Sequence, residues 1–170
     1  LISTPVLEPE VGENTMPVPP CPPELHTGLP EMDALHARIF DALIQASKSP
    51  DAELAGRFVP LVRNAEQAFS TEEAWMERIS FADARMHREH HALVLSGLHR
   101  THSKIMAGDY SAGRDLVDRL LPQWLQFHND TMDLSLAFAV ERNRRASVSA
   151  SPTLRSILNM RPLERLVYLA

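Results

Sequence analysis

A chain of 170 residues, 44% of them apolar and 23% charged, is long enough to fill one hydrophobic core. Its formal net charge of −5 offers no basic field to phosphate backbones, so no nucleic-acid partner is expected. No stretch approaches the roughly 20 consecutive apolar residues that span a bilayer, so no membrane contact is expected, and the single cysteine, Cys21, cannot form an internal disulfide, which makes a reduced, cytoplasmic setting the expectation.

Eight of the 13 prolines lie in the first 30 residues. The run Pro17-Val-Pro-Pro-Cys-Pro-Pro23 cannot sustain a helix and suits a sheet poorly, so residues 1–30 are expected to form an extended arm. From Met32 the pattern changes. Met32, Leu35, His36, Ile39, Phe40 and Leu43 recur at the three- and four-residue steps of a helix with one buried face, and Pro50 ends it.

A second helix is expected over 51–79, with Leu54, Phe58, Leu61, Ala65, Ala68, Glu72 and Met76 on its inner stripe and a kink at Pro60. A third spans about Asp83 to Ala107. The segment Gly108-Asp-Tyr-Ser-Ala-Gly113 closes it and starts the next, with Ser111 as the expected cap. The fourth runs to about Arg142 and is bent or restarted at Pro122, which lacks one backbone donor. Four helices with short connections predict an all-α fold, an antiparallel up-down four-helix bundle over 31–142. Residues 143–170 read as a linker and a short amphipathic helical extension, broken at Pro162, for docking, self-association or a protein partner.

Several ionisable residues occupy positions that this periodicity assigns to the core, where an uncompensated charge is strongly unfavourable. His36 sits four residues from Met32 and from Phe40, and Glu72 four from Ala68 and from Met76, so both point inward. His87 and His91 are one helical turn apart and can each give a nitrogen to a common metal ion, whereas His90 lies to one side. His128 belongs to the stripe of Val117, Leu121, Trp124 and Leu125, and Asp133 follows five residues later. Five residues leave a rotation of about 140° on an ideal helix, so both reach one site only through a long reach or a π-type bulge.

The inward set is therefore His36, Glu72, His87, His91, His128 and Asp133, contributed by all four helices. Imidazoles and carboxylates without thiolate suit iron, manganese or zinc, and two carboxylates can bridge two ions. His26, His99 and His102 are expected at the surface or periphery.

This ordered set resembles the hemerythrins and bacterial hemerythrin-like proteins over about Leu29 to Val140. The motifs that carry the resemblance are Met32-Asp-Ala-Leu-His36, Phe69-Ser-Thr-Glu-Glu-Ala-Trp-Met76, His87-Arg-Glu-His-His91 and Trp124-Leu-Gln-Phe-His-Asn-Asp-Thr-Met-Asp133. It implies two irons bridged by Glu72, Asp133 and an oxo or hydroxo oxygen. His87, His91 and His128 would complete one iron, and His36 with a second-helix histidine would hold the other. Trp124 and Leu125 match residues that pack beside the site, where an apolar lining limits water.

One ligand departs from that pattern, because Ala68 stands where the family carries histidine, four residues before Glu72. Water or an exogenous ligand, a neighbouring carboxylate (Glu73 or Asp33), or loss of that ion are the consequences to expect. The resemblance implies a non-haem di-iron protein that binds dioxygen or a related small molecule, such as nitric oxide or peroxide, for storage, sensing or detoxification. An oxidase, peroxidase or nitric-oxide-reducing enzyme with an open iron is the alternative, and an interaction module with a structural metal is a third.

Overall fold

The structure is a computed structural model that describes residues 22–150. Most of the proline-rich arm, with Cys21, and the helical extension expected over 151–170 lie outside the described residues. Among the described residues every regular element is helical: α1 (Pro30–Lys48), α2 (Asp51–Arg78), α3 (Ala84–Met106) and a long fourth stretch. That stretch comprises α4 (Tyr110–Asp115), a π-helical turn (Leu116–Leu120), α5 (Leu121–His128), a second π-helical turn (Asn129–Asp133) and α6 (Leu134–Ala150).

Local chemistry accounts for the ends. Helix α1 opens on Pro30, whose missing N–H has no partner to lose at the first helical position, and Glu31 and Asp33 in its first turn match the helix dipole. Ser49 and Pro50 are extended and leave only two residues between α1 and α2. The carbonyls at the end of α1 are not left bare. The Arg114 guanidinium donates to the backbone oxygens of Ala46, Ser47 and Ser49 and to the carboxylate of Asp51, which fastens α4 to the α1–α2 corner.

Helices α2 and α3 both end in a left-handed residue, Ser80 (φ 52°) and Gly108 (φ 92°). Phe81 N–H reaches Met76 O, and Asp109 N–H reaches Lys104 O, each at 2.9 Å, the six-to-one bond that closes such an end. Because the second of these ends leads straight into the next helix, Asp109 rather than Ser111 is the cap. Its carboxylate accepts from Ala112 N–H at 3.2 Å, while the Ser111 hydroxyl, already in the first turn, donates to it.

Pro60 lies inside α2, which runs through it without a break. Pro122 is the second residue of α5, two after the first π-helical turn, which closes with Leu121 N–H bonded back to Leu116 O. The wider turn shifts the register where proline cannot donate.

The core joins Met32, Ile39, Leu54, Phe58, Leu61, Met76, Leu98, Ile105 and Leu136, all essentially inaccessible to water. At Gly113 a Cβ would lie 2.8 Å from the side chains of Ile105 and Leu54, so glycine is what lets α4 close on α2 and α3. The end of the arm belongs to this packing rather than to an extended tail. Pro23–Leu25 forms a 3-10 turn, and Leu25 and Leu29 are buried in the core. At the other end α6 continues past Arg142 to Ala150, tied back by Arg144 to Glu31 at 2.8 Å.

Candidate metal centre

Toward the end of the bundle where α1 begins, α2 ends and α3 begins, the packing changes from hydrocarbon to donor atoms. Helix α1 supplies His36, α2 Glu72, α3 His87 and His91, α5 His128, and the second π-helical turn Asp133; all six are 5% exposed or less. The π-helical turn decides whether the last two can meet. Leu134 N–H bonds to Asn129 O, and the extra residue in that turn brings Asp133 Oδ1 to 3.2 Å from His128 Nε2.

The donors form two groups that could each hold a metal ion, Glu72 with His87, His91 and His128, and His36 with Glu72 and Asp133. The carboxylates divide their oxygens between the two sides. Glu72 Oε2 lies 3.1 Å from His91 Nε2 and 3.5 Å from His87 Nε2, while Oε1 lies 3.9 Å from His36 Nε2. Asp133 Oδ1 lies 3.2 Å from both His87 Nε2 and His128 Nε2, while Oδ2 lies 3.3 Å from His36 Nε2. The Nε2 atoms of His87 and His91 also converge on His128 Nε2, at 3.0 and 3.2 Å.

Imidazole nitrogens and carboxylate oxygens this close outnumber the protons they can share, so hydrogen bonds alone leave some of them unmet. Both oxygens of Glu72 and Oδ1 of Asp133 are buried without a hydrogen bond of good geometry among the described residues. A buried, unsatisfied anion is strongly unfavourable, whereas a cation between the groups would satisfy all of these atoms at once. The donor set thus fits divalent first-row metals with a taste for imidazole and carboxylate.

The surrounding side chains orient the ligands. His36 Nδ1 donates to Leu25 O at 3.0 Å, and His91 Nδ1 to Glu73 Oε1 at 3.2 Å, so each ring turns Nε2 inward. Phe69 stacks on His91 with centroids 4.1 Å apart, and Trp124 stacks on His128 at 4.5 Å. Leu125 is buried. Neither carboxylate considered as a substitute ligand is free for the task. Glu73 is engaged by His91 on the outer side of the ring, and Asp33 accepts from the backbone and hydroxyl of Thr27 at 2.8 Å. Ala68 is fully buried and offers no donor.

His26 and His99 are exposed, as expected, and His99 pairs with Glu66 at 3.0 Å. His102 is peripheral, half-buried against Phe58 with Nε2 out of water. Asn129, which sequence periodicity does not single out, is 2% exposed beside the centre, and its Nδ2 donates to Glu24 O at 3.1 Å. No protein-family model matches the chain, and no curated protein or solved structure is significantly similar to it. What the centre can do therefore rests on its own donor atoms.

Protonation in the metal-free state follows from the packing. Burial opposes a proton on His87, but the carboxylates of Asp133 and Glu72 outweigh it and raise its pKa from 6.5 to about 9. Burial keeps His128 below its ordinary value, only partly offset by Asp133. Burial also works against the charge on Asp133, yet the imidazoles of His128, His36 and His87 hold its pKa well below 3.8. The His87 contribution to metal-free stability is thus complete below pH 6.5 and lost as pH rises through about 9. The Asp133 contribution is present above pH 3.8 and lost as pH falls through its lower folded value.

Because a ligating imidazole must be deprotonated, metal uptake at neutral pH is expected to expel the His87 proton. Affinity should climb with pH and level off above about 9. Calorimetric titration in buffers of different ionisation heat measures the released protons; uptake without proton release would remove His87 from the ligand set.

Proposed function

We propose that the chain is a non-haem di-iron protein of hemerythrin-like type, an antiparallel up-down bundle that binds dioxygen or a related small molecule, such as nitric oxide or peroxide, for storage, sensing or detoxification. The observation that carries this reading is the division of the Glu72 and Asp133 oxygens between two ligand groups, the disposition that bridging carboxylates need. A pair of bridged ferrous ions would supply electrons to a diatomic ligand. The chain's own residues contribute the rest. His87, His91 and His128 would complete one side, His36 would leave the other side open, and Phe69, Trp124 and Leu125 keep the surroundings apolar.

The openness of the His36 side favours a second reading. That group has three protein donors, and the residue one turn before Glu72 is the buried Ala68. Open positions are what a catalytic metal requires, so an oxidase, peroxidase or nitric-oxide-reducing activity is the alternative use of the same centre.

The deciding experiment is metal content per chain after iron-replete expression, followed by oxygenation of the anaerobic ferrous protein. Two irons and a reversible charge-transfer band support carriage or sensing. Turnover of the oxidant with an irreversible spectrum supports catalysis; zinc, or a single ion with no optical response to oxygen or peroxide, overturns the di-iron proposal.

A further inference from the structure

Two side chains of the centre hang on the backbone of one short turn. His36 Nδ1 donates to Leu25 O at 3.0 Å, and Asn129 Nδ2 donates to Glu24 O at 3.1 Å. Both acceptors belong to the 3-10 turn Pro23–Leu25. A carbonyl can only accept, so the first bond fixes the proton of His36 on Nδ1 and turns the Nε2 lone pair toward Glu72 and Asp133. The second bond holds the π-helical turn Asn129–Asp133, which ends in Asp133 itself. The remaining ligand group has other supports: Glu73 and Phe69 on His91, and Trp124 on His128.

Resting on the two-ion reading above, we propose that the Pro23–Leu25 turn is the positioning element for the His36 half of the centre, so that filling this half and ordering the turn are one coupled event. His36 is the one imidazole of its group, and the turn holds its outer nitrogen. Any freedom in the turn is therefore freedom in the group's nitrogen donor. Asn129 is a positioning residue in the same sense, acting through the backbone that carries Asp133.

The turn is small enough to respond. Besides the bonds from His36 and Asn129, it is held by Leu25 N–H to Pro22 O at 2.9 Å, His26 N–H to Pro23 O at 3.2 Å and the burial of Leu25, with the Thr27–Asp33 clasp just beyond it. Few bonds and a single buried anchor mark a segment that opens locally at low free energy. By linkage, whatever affinity the ordered turn adds to the second ion, the ion returns as stability of the turn.

The order of filling makes this observable. The group with three imidazoles should take the first ferrous ion, and the His36 group, with one, the second. The experiment is hydrogen exchange at the amides of Leu25, His26 and Thr27 in the full chain during anaerobic stepwise addition of ferrous iron. Protection should stay near its metal-free level through the first equivalent and rise by about tenfold with the second.

The matching variant is Thr27→Val, which keeps side-chain volume, lies outside both ligand groups and loosens the clasp to Asp33. It should weaken the second ion by about tenfold, the low end for outer-shell changes, and leave the first unchanged. Protection that is complete at the first equivalent, or flat through both, overturns the coupling, as does a variant that binds the second ion like the parent. A chain that takes only one ion overturns the two-ion reading and the coupling together; a chain that takes two while the turn stays flat overturns the coupling alone.

Discussion

If the centre holds the two ions proposed for it, Asp133→Asn is expected to reduce the metal content to at most one and to weaken what remains by on the order of 100-fold. The substitution keeps the shape of the side chain and removes the property the site uses. Oδ1 faces His87 and His128 and Oδ2 faces His36, so a carboxylate presents an anionic oxygen to each side. An amide presents one neutral oxygen and, on the other side, N–H donors aimed at a lone pair that needs a cation. Metal analysis after reconstitution reads the first effect.

A second consequence appears without metal. Asp133 is the leading cause that lifts His87 to about 9, so the His87 titration should move back down in the variant, a shift that NMR follows directly. Far-ultraviolet circular dichroism should stay helical, because the hydrocarbon core lies in other residues. Two tightly held ions together with an unmoved His87 titration would place Asp133 outside the centre.

Much of this centre was legible in the sequence because it is built on helices. The three- and four-residue steps place His36, Glu72, His87 and His91 inward, and all four are buried. The five-residue interval from His128 to Asp133 left a long reach or a π-type bulge as the ways to bring both residues to one site, and the structure contains the π-helical turn.

The parts that escaped have a common cause: they depend on backbone groups or on that local irregularity. Leu25 O leaves no side-chain signature, so the anchoring of His36 by a segment read as an extended arm could not be foreseen. Asn129 is adjacent to His128 and on a regular helix would point about 100° away; the wide turn leaves both buried. Ser111 had the right chemistry for a cap, but the left-handed Gly108 starts the next helix two residues earlier, at Asp109.

Ala68→His is expected to destabilise the metal-free chain and, on the two-ion proposal, to tighten the ion beside His36, two opposite effects from one side chain. Ala68 is fully inaccessible, so a ring at that position must displace core neighbours, at a cost of about 1–3 kcal/mol. The metal-free melting temperature should therefore fall. Position 68 is also one helical turn from Glu72 on the same face, where an imidazole could join the donors around Glu72 Oε1 and His36.

An added nitrogen donor should increase the affinity of that side by about tenfold or more, and binding restricted to the folded state returns stability as RT ln(1 + [L]/Kd). Iron-loaded and metal-free samples should thus separate further in melting temperature than they do for the parent chain. The same variant divides the two uses of the centre. If the open position turns over an oxidant, the new ligand occupies it, and turnover should drop while reversible oxygen binding improves. If the second ion sits elsewhere, the histidine only crowds the core: both forms melt earlier, the gap between them stays constant, and Ala68 loses its meaning as a vacated ligand position.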